Sequence, residues 1–400
     1  MAFVQNLNGE KFDVMIIGAG MYGSSIAWHL AVKLRFPGRV LVVEADPSFQ
    51  NAATTHTNSC VRQQFTSEVN IKISQFMGDV IQDFPAYCAD KNAPQIALRN
   101  FGYLYLADTA EKAEAFEEAA VIQRDLGVPI EHLSPLRLRD EYPFMNVEDI
   151  VLAARNTHNE GYFDGSAMFE YWQNAAMKAG VVFLYDRVVG FDLQNGQITS
   201  VETQRNGSIH VDQVVNAAGT QSPQIAKWAG QDLPIEPRLR MTYIFECRER
   251  FERDVPLVID PSGVHVRWSG ASFLAGAAPS HDVAPNHDDF TIPQDLWVTK
   301  VWPVLEHRVP AFEAVKVTSE WGGHYDYNYF DQNALLGRFN QCENLINASG
   351  FSGHGLQQSA SIGLGLAELI QFNEYRRLDL GTLSVNRFAD NISLPEKAII

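Results

Sequence analysis

Three glycines, Gly18, Gly20 and Gly23, fall in a G-x-G-x-x-G pattern directly after the apolar run Phe12-Asp13-Val14-Met15-Ile16-Ile17. The chemistry this spacing permits is phosphate binding by the main chain. Gly18 allows a tight turn, Gly20 lets a pyrophosphate approach the backbone, and Gly23 lets a following helix pack closely on the strand. Ala19, Met21 and Tyr22 complete the loop. The helix that follows turns its free N–H groups and positive dipole end toward the phosphates. Glu44 closes a second apolar run, Arg39-Val40-Leu41-Val42-Val43. It lies somewhat beyond the usual interval of roughly 20 residues, which fits a longer helix and the Phe36-Pro37-Gly38 turn. A carboxylate there accepts hydrogen bonds from ribose hydroxyls and repels a 2′-phosphate. The combination reads as a dinucleotide site; the competing reading is glycines used for packing alone.

Two further glycine junctions bear on which dinucleotide it is. Val214-Val215-Asn216-Ala217-Ala218-Gly219 is a strand running into a small-residue turn. Ala348-Ser349-Gly350-Phe351-Ser352-Gly353-His354-Gly355-Leu356 is another strand–loop–helix junction near the C-terminus. Its helix dipole suits negative charge on a reduced isoalloxazine ring. NAD needs no such second cradle, so the pair favours FAD, and an NAD-dependent dehydrogenase survives only if the C-terminal cradle is coincidence.

The elements that must position these groups follow from pattern. Phe12–Ile17, Ser24–Leu34 and Arg39–Val43 read as strand, helix and strand, a βαβ start. Asp108–Leu126 and Ser166–Ala179 read as helices, and Val181–Phe191 as one strand. A hairpin is expected around Asn206-Gly207. Period-2 stretches from Leu239 to Ala277 predict an antiparallel sheet. Asp295–Val309 reads as a helix. Asn344–Ala348 reads as a buried strand, and a helix follows from about Gln358 to Phe372.

Composition excludes other classes. The 400 residues are 46% hydrophobic and 20% charged, an ordinary globular balance. The net charge of −17 repels phosphate backbones, so no nucleic-acid partner is expected. Cys60, Cys88, Cys247 and Cys342 form no C-x-x-C pair. With no signal-peptide or transit pattern at the start, a cytoplasmic location is expected. Val14–Val32 is apolar but holds three glycines, two serines and His29, so no membrane span is expected. No metal-ligand spacing and no Ser–His–Asp arrangement stands out.

These motifs resemble the D-amino acid oxidase superfamily of FAD-dependent oxidoreductases, which includes glycine oxidase and monomeric sarcosine oxidase. Within it the chain is most similar to the FAD-dependent oxidoreductase domain-containing protein 1 group. The added matches are Val61-Arg62-Gln63-Gln64-Phe65, Tyr325-Asp326-Tyr327-Asn328, Phe330-Asp331-Gln332-Asn333 and Gly353-His354-Gly355-Leu356-Gln357-Gln358. The resemblance implies an α/β fold, with a Rossmann-like FAD domain (1–90, 150–235 and 335–400) interleaved with a substrate domain on an antiparallel sheet (91–149 and 236–334). It extends the cofactor contacts to Ala45, Thr54, Thr55 and Val188. Arg62 falls where relatives contact a substrate carboxylate; the bland alternative is a surface salt bridge, and Arg267 is a second candidate. His324 falls where a cysteine links flavin in sarcosine oxidase, which implies non-covalent FAD; it edges the flavin or is a core histidine. Gln357 replaces a substrate-binding lysine, and Leu274 an oxygen-activating one. His354 reads as structural. Tyr325, Tyr327 and Tyr329 are expected on one strand face, as pocket wall or as sheet packing.

The implied reaction is oxidation of a C–N bond in an amino acid or N-substituted amino acid. The partners would be a small amine and oxygen or another electron acceptor. The group's mitochondrial member is an assembly factor for respiratory complex I, which implies a second reading, a flavoprotein interaction factor with little turnover.

Overall fold

The computed structural model describes residues 7–249, 251, 256–279 and 281–396. Two eight-stranded sheets organise it. In the first, Lys11–Ile17 lies centrally between Gly207–Asn216 and Val40–Glu44, parallel to both. Val182–Tyr185 extends one side in parallel, and Cys342–Ser349 the other. Val40–Glu44 and the last residues of Lys11–Ile17, Gly207–Asn216 and Cys342–Ser349 are buried, as parallel strands covered on both faces are. Their C-terminal ends emerge at one edge, so the turns after Ile17, Glu44, Asn216 and Ser349 are neighbours. Asn216 Nδ2 donates to Asn347 Oδ1 at 3.1 Å, tying two of those ends together.

The N-terminal helix is Met21–Trp28, continued by a wider turn at His29–Lys33, and the C-terminal helix is Gly355–Phe372. Both pack on one face of this sheet in a single apolar core. Glu68–Gln82, which the sequence reading passes over, is a helix in the same core through Ile73, Met77, Val80 and Ile81. The expected single strand Val181–Phe191 is two, Val182–Tyr185 and Val188–Gln194. The break is at Asp186, whose carboxylate accepts the backbone N–H groups of Arg187, Arg205 and Asn206. That competes with a continuous ladder.

The second sheet runs Val315–Asn328, Ile235–Cys247, Ser272–Ala277, His265–Ser269, Leu257–Ile259, Tyr103–Ala107, Leu152–Asn156 and Glu131–Leu133. It is antiparallel except where Leu257–Ile259 pairs with Tyr103–Ala107. Leu152–Asn156, inside the range expected for the cofactor domain, pairs with Tyr103–Ala107 and belongs to this sheet. One face carries Leu239, Met241, Tyr243 and Phe245 into a separate core under the helix Trp302–Arg308. The other face carries Arg238, Arg240 and Thr242, because strand side chains alternate. Among the described residues, no helix is long and apolar enough to cross a membrane.

Candidate FAD and substrate site

A cavity of about 540 Å³ lies at the C-terminal edge of the parallel strands and reaches the polar face of the second sheet. Open α/β sheets bind ligands at this edge. Gly18, Gly20, Met21 and Tyr22 line it, and Ala19 and Gly23 stand behind. Gly18 has φ +98°, and a Cβ there would lie 2.4 Å from the Ala217 carbonyl oxygen. A Cβ on Gly23 would lie 1.8 Å from the Gly18 carbonyl oxygen. The first turn, the second turn and the helix are therefore in backbone contact. Glu44 Oε2 accepts the Ala19 N–H at 2.7 Å and Oε1 the Asp46 N–H at 2.8 Å. This carboxylate braces the loop, and burial pushes its pKa up against those hydrogen bonds. Thr54 Oγ1 accepts the Met21 N–H at 3.0 Å, serving the helix start from another segment.

Ala45, Val188, Ala217, Ala218 and Gly219 also line the cavity. Thr55 does not. Its hydroxyl is turned into its own loop and donates to the Phe49 carbonyl at 2.7 Å.

The C-terminal cradle is held by the edge strand of the second sheet. Asp326 Oδ2 accepts the N–H of Gly350 at 2.6 Å and of Phe351 at 3.3 Å. The Ser352 N–H donates to the Asp326 carbonyl at 3.0 Å, and the Asn328 N–H to Ser352 Oγ at 3.0 Å. Asn328 Nδ2 reaches Asp331 Oδ1, and Asp331 forms a buried pair with Arg387. The Tyr-Asp-Tyr-Asn and Phe-Asp-Gln-Asn motifs thus build the support of the cradle. Gly350 sits behind the wall, while Phe351, Gly353, His354, Gly355 and Leu356 line it. The ring of His354 meets Phe65 edge-on at 5.1 Å. Tyr22 joins the two cradles: its ring stacks on Phe351 at 3.7 Å and its hydroxyl donates to the Gly355 carbonyl at 2.7 Å.

Asp326 gives a first testable outcome. Burial raises its pKa to about 6 despite the accepted N–H groups. Because the folded value exceeds the unfolded one, its contribution to stability is full below about pH 4 and is lost as pH rises through 6. Asp326→Asn keeps an acceptor oxygen and should flatten that part of the stability–pH curve. Asp326→Ala leaves two buried N–H groups unpaired, at roughly 1–3 kcal/mol each. Thermal unfolding of both variants between pH 4 and 8 checks this; identical pH profiles for Asn and parent would refute it.

Arg62, His324, Tyr325 and Gln357 all line the same cavity. Arg62 is 3% exposed, so it is no surface salt-bridge arginine. Its guanidinium lies over Phe65 at 4.8 Å and over Tyr103 and Tyr105 at 6.0 Å. Its backbone N–H donates to Gln357 Oε1 at 2.9 Å. Tyr325 is opposite Arg238 in the ladder, on the polar face, and its ring lies under the Arg240 guanidinium at 4.6 Å. His324 is opposite Leu239, on the other face, with its ring stacked on Phe290 at 4.2 Å. Burial lowers its pKa, so it is neutral at pH 7. Tyr325 and Tyr327 share a face, but Tyr329 lies past the strand end and is exposed. Arg267 is not in the wall: its guanidinium donates to the carbonyls of Trp268 and Asn58. Leu274 is its neighbour across the ladder.

Sequence reasoning missed Glu160, Arg240 and His265. Arg240 lines the cavity and is paired by both Nη atoms with Asp282, at 2.9 and 3.0 Å. His265 also lines it; burial and then the charges of Arg267, Arg62 and Arg240 lower its pKa to about 4. Their partners lie tens to hundreds of residues away in sequence, so no local pattern marks them.

Cradles in which a Cβ would meet backbone, a helix N-terminus and a carboxylate at the second strand define a dinucleotide-binding protein. The chain belongs to the FAD dependent oxidoreductase family (DAO), whose pattern matches residues 13–369. It is 34% identical to FAD-dependent oxidoreductase domain-containing protein 1 of Xenopus laevis, over 99% of this chain and 86% of that protein. Mouse mitochondrial sarcosine dehydrogenase is 22% identical over 95% of this chain but only 42% of its own length. Among solved structures, L-proline dehydrogenase from P. horikoshii superposes with a TM-score of 0.83, at 24% identity, covering 96% of this chain and all of that one. Glycine oxidase from Geobacillus kaustophilus gives 0.80 at 20%, covering 94% and 99%. The fold is that of these proteins, and FAD is the cofactor.

Proposed function

We propose that the protein oxidises the C–N bond of an amino acid or N-substituted amino acid. The observation that supports this most is one cavity joining both glycine cradles to a buried arginine and its glutamine neighbour. FAD, when bound, accepts the hydride from the carbon that bears nitrogen. The loop at 18–23 and Glu44 would hold its diphosphate and ribose, and the 350–356 turn would face its ring end. Arg62 would anchor the substrate carboxylate, with its planar fork on both oxygens. Tyr325, with Arg240 over its ring, would wall the ring end of the cavity. Gln357 fixes the Arg62 backbone and offers its amide to the same carboxylate. The imine product then hydrolyses in water. Proximity and electrostatics do the work, and no nucleophilic triad is needed. The donors named for relatives and structural neighbours, sarcosine, proline and glycine, are consistent with such a substrate. Four free thiols suit a reducing compartment such as the cytoplasm.

Anaerobic mixing with a panel of amino acids and N-methylated amines tests the reading by loss of flavin colour, whatever the natural acceptor. Bleaching by at least one carboxylated amine is expected. A flavin that no amine reduces would refute turnover and leave the interaction-factor reading.

The FAD is expected to be non-covalent. His324, the residue at the linkage position, lies on the sheet face opposite Tyr325 and stacks on Phe290. After acid precipitation the yellow colour should be in the supernatant; a yellow pellet means a covalent bond.

A further inference from the structure

Residues 62–67 join the short strand Cys60–Val61 to the helix Glu68–Gln82 and belong to neither. Buried N–H groups in such a turn need partners from elsewhere, and side chains of three distant segments supply them. Gln357 Oε1 accepts the Arg62 N–H at 2.9 Å. Glu160 Oε1 accepts those of Gln63 at 2.6 Å and Gln64 at 3.2 Å, and its Oε2 accepts Gln64 Nε2 at 2.8 Å. Glu396 takes the far end. Its Oε1 accepts the Thr66 N–H at 2.9 Å and the Thr66 hydroxyl at 2.6 Å. Its Oε2 accepts the Ser67 N–H at 3.2 Å, the Ser67 hydroxyl at 2.9 Å and Asn70 Nδ2 at 3.0 Å. Ser67 is the N-cap residue of the helix but makes no cap bond with its own side chain. Glu396, 1% exposed and 329 residues away, supplies the cap instead.

Glu396 is in turn fixed to the support of the C-terminal cradle. Its N–H donates to the Asp331 carbonyl at 3.2 Å, and the Leu394 N–H donates to Asp331 Oδ2 at 3.0 Å. Asn333 Nδ2 donates to the Leu394 carbonyl at 2.6 Å. Asp331 is the residue that, through Asn328 and Ser352, supports the 350–356 turn. A second path runs beside the first: Asn70 donates to Asn333 Oδ1 at 2.7 Å and accepts from Gln358 Nε2 at 3.0 Å. The Arg-Gln-Gln, Phe-Asp-Gln-Asn and Gly-His-Gly-Leu-Gln-Gln motifs are therefore parts of one network, closed by a glutamate that no motif marks.

We propose that Glu396 is a positioning residue for Arg62: it sets the 62–67 turn against the C-terminal cradle, so that binding a carboxylate in the cavity depends on the segment 392–396, none of whose residues lines that cavity. This rests on the reading of Arg62 as the carboxylate anchor.

An arginine anchor is effective when its backbone is already held where the anion arrives; a turn that must first be ordered takes that cost out of the affinity. Gln357 and Glu396 hold the two ends of the turn and Glu160 its middle, so releasing Glu396 frees one end. The groups expected to hold FAD are on other segments, and Glu396 is bonded to none of them directly. Its loss should therefore fall on the carboxylate and spare the cofactor. Coupling of this kind is reciprocal: a ligand that steadies the anchor steadies the segment that holds it.

The test uses the FAD-loaded protein and benzoate, a carboxylate with no amine to oxidise, followed by the shift in the flavin spectrum. Glu396→Ala should bind benzoate about tenfold more weakly, roughly 1.4 kcal/mol of coupling, with FAD affinity at the parent's value. A general loosening of the fold would weaken both together. In the parent, benzoate should slow amide hydrogen exchange at Leu394 and Glu396, whose N–H groups are bonded to Asp331 outside the cavity. Full benzoate affinity in Glu396→Ala, parallel losses for FAD and benzoate, or no protection of Leu394 and Glu396 in the parent overturns the proposal; the parent measurement decides this even if the variant fails to fold. The underlying reading fails separately: if Arg62→Met binds benzoate as tightly as the parent, the anchor falls and the positioning role with it.

Discussion

Gly23→Ala is expected to yield protein that retains no FAD and unfolds at a clearly lower temperature, whereas Gly20→Ala is expected to keep the fold and lose cofactor affinity. The two glycines share a motif but not a role. A Cβ on Gly23 would sit 1.8 Å from the Gly18 carbonyl oxygen, a backbone atom fixed by the first turn. Relief requires the helix Met21–Trp28 to move off the strand, yet every residue of that helix is buried. Overpacking of this kind costs roughly 1–3 kcal/mol where neighbours can give, and here the neighbour is main chain. The shift would also carry away the Gly18–Ala217 contact that brings the first two turns together. A Cβ on Gly20 meets only Thr54 Oγ1, at 3.1 Å, the end of a side chain. The fold can absorb that, but the methyl projects into the cavity where a pyrophosphate must approach. Thermal unfolding of the apo-proteins and quenching of flavin fluorescence on titration separate the two effects. Equal melting temperatures for Gly23→Ala and parent would overturn the packing argument; equal FAD affinity for Gly20→Ala and parent would remove the phosphates from that loop.

Arg62→Met should leave the flavin spectrum close to the parent's and raise the half-saturating concentration of the best amine by about 10- to 100-fold. Those limits follow from roughly 1.5–3 kcal/mol for a charge-assisted hydrogen bond, at about 1.4 kcal/mol per decade. Methionine replaces the stem packed over Phe65, so the change removes charge more than volume. The Gln357 contact is to the Arg62 backbone and survives the substitution. A second cation is poorly placed to compensate. Arg240 is engaged by Asp282, and Arg267 donates to two backbone carbonyls. An unchanged half-saturation concentration would exclude Arg62 from the substrate site and point to a substrate without a carboxylate.

The sequence by itself determined the nucleotide half of this protein. A phosphate cradle is a local object, in which glycine spacing, the preceding apolar run and the following helix lie within a dozen residues. The strand-plus-turn pattern therefore pointed to Gly18–Gly23, Ala217–Gly219 and the 350–356 turn, which the fold brings together at one cavity. Glu44 was legible because it ends the next strand. The antiparallel nature of the second sheet was legible from period-2 stretches. Thr55 shows the resolution of such reading: it and Thr54 are adjacent and chemically alike, and only the turn geometry sends one hydroxyl to the Met21 N–H and the other into its own loop.

Tertiary structure decided the far side of the cavity. The resemblance pointed to Arg62 and Gln357, but Tyr103, Arg240 and His265 come from separate strands, and none has a sequence neighbour that marks it as part of the wall. Strand register, which assigns alternate side chains to opposite faces, placed Tyr325 with the arginines and His324 with Leu239. Glu160 is the clearest case. A glutamate in Asn159-Glu160-Gly161 reads as a solvated turn residue, because the cost of burying a carboxylate argues against any other reading. It is buried because Gln63 and Gln64, almost a hundred residues earlier, bring it three hydrogen-bond donors and Arg62 brings a cation. Those partners exist only when the chain is folded.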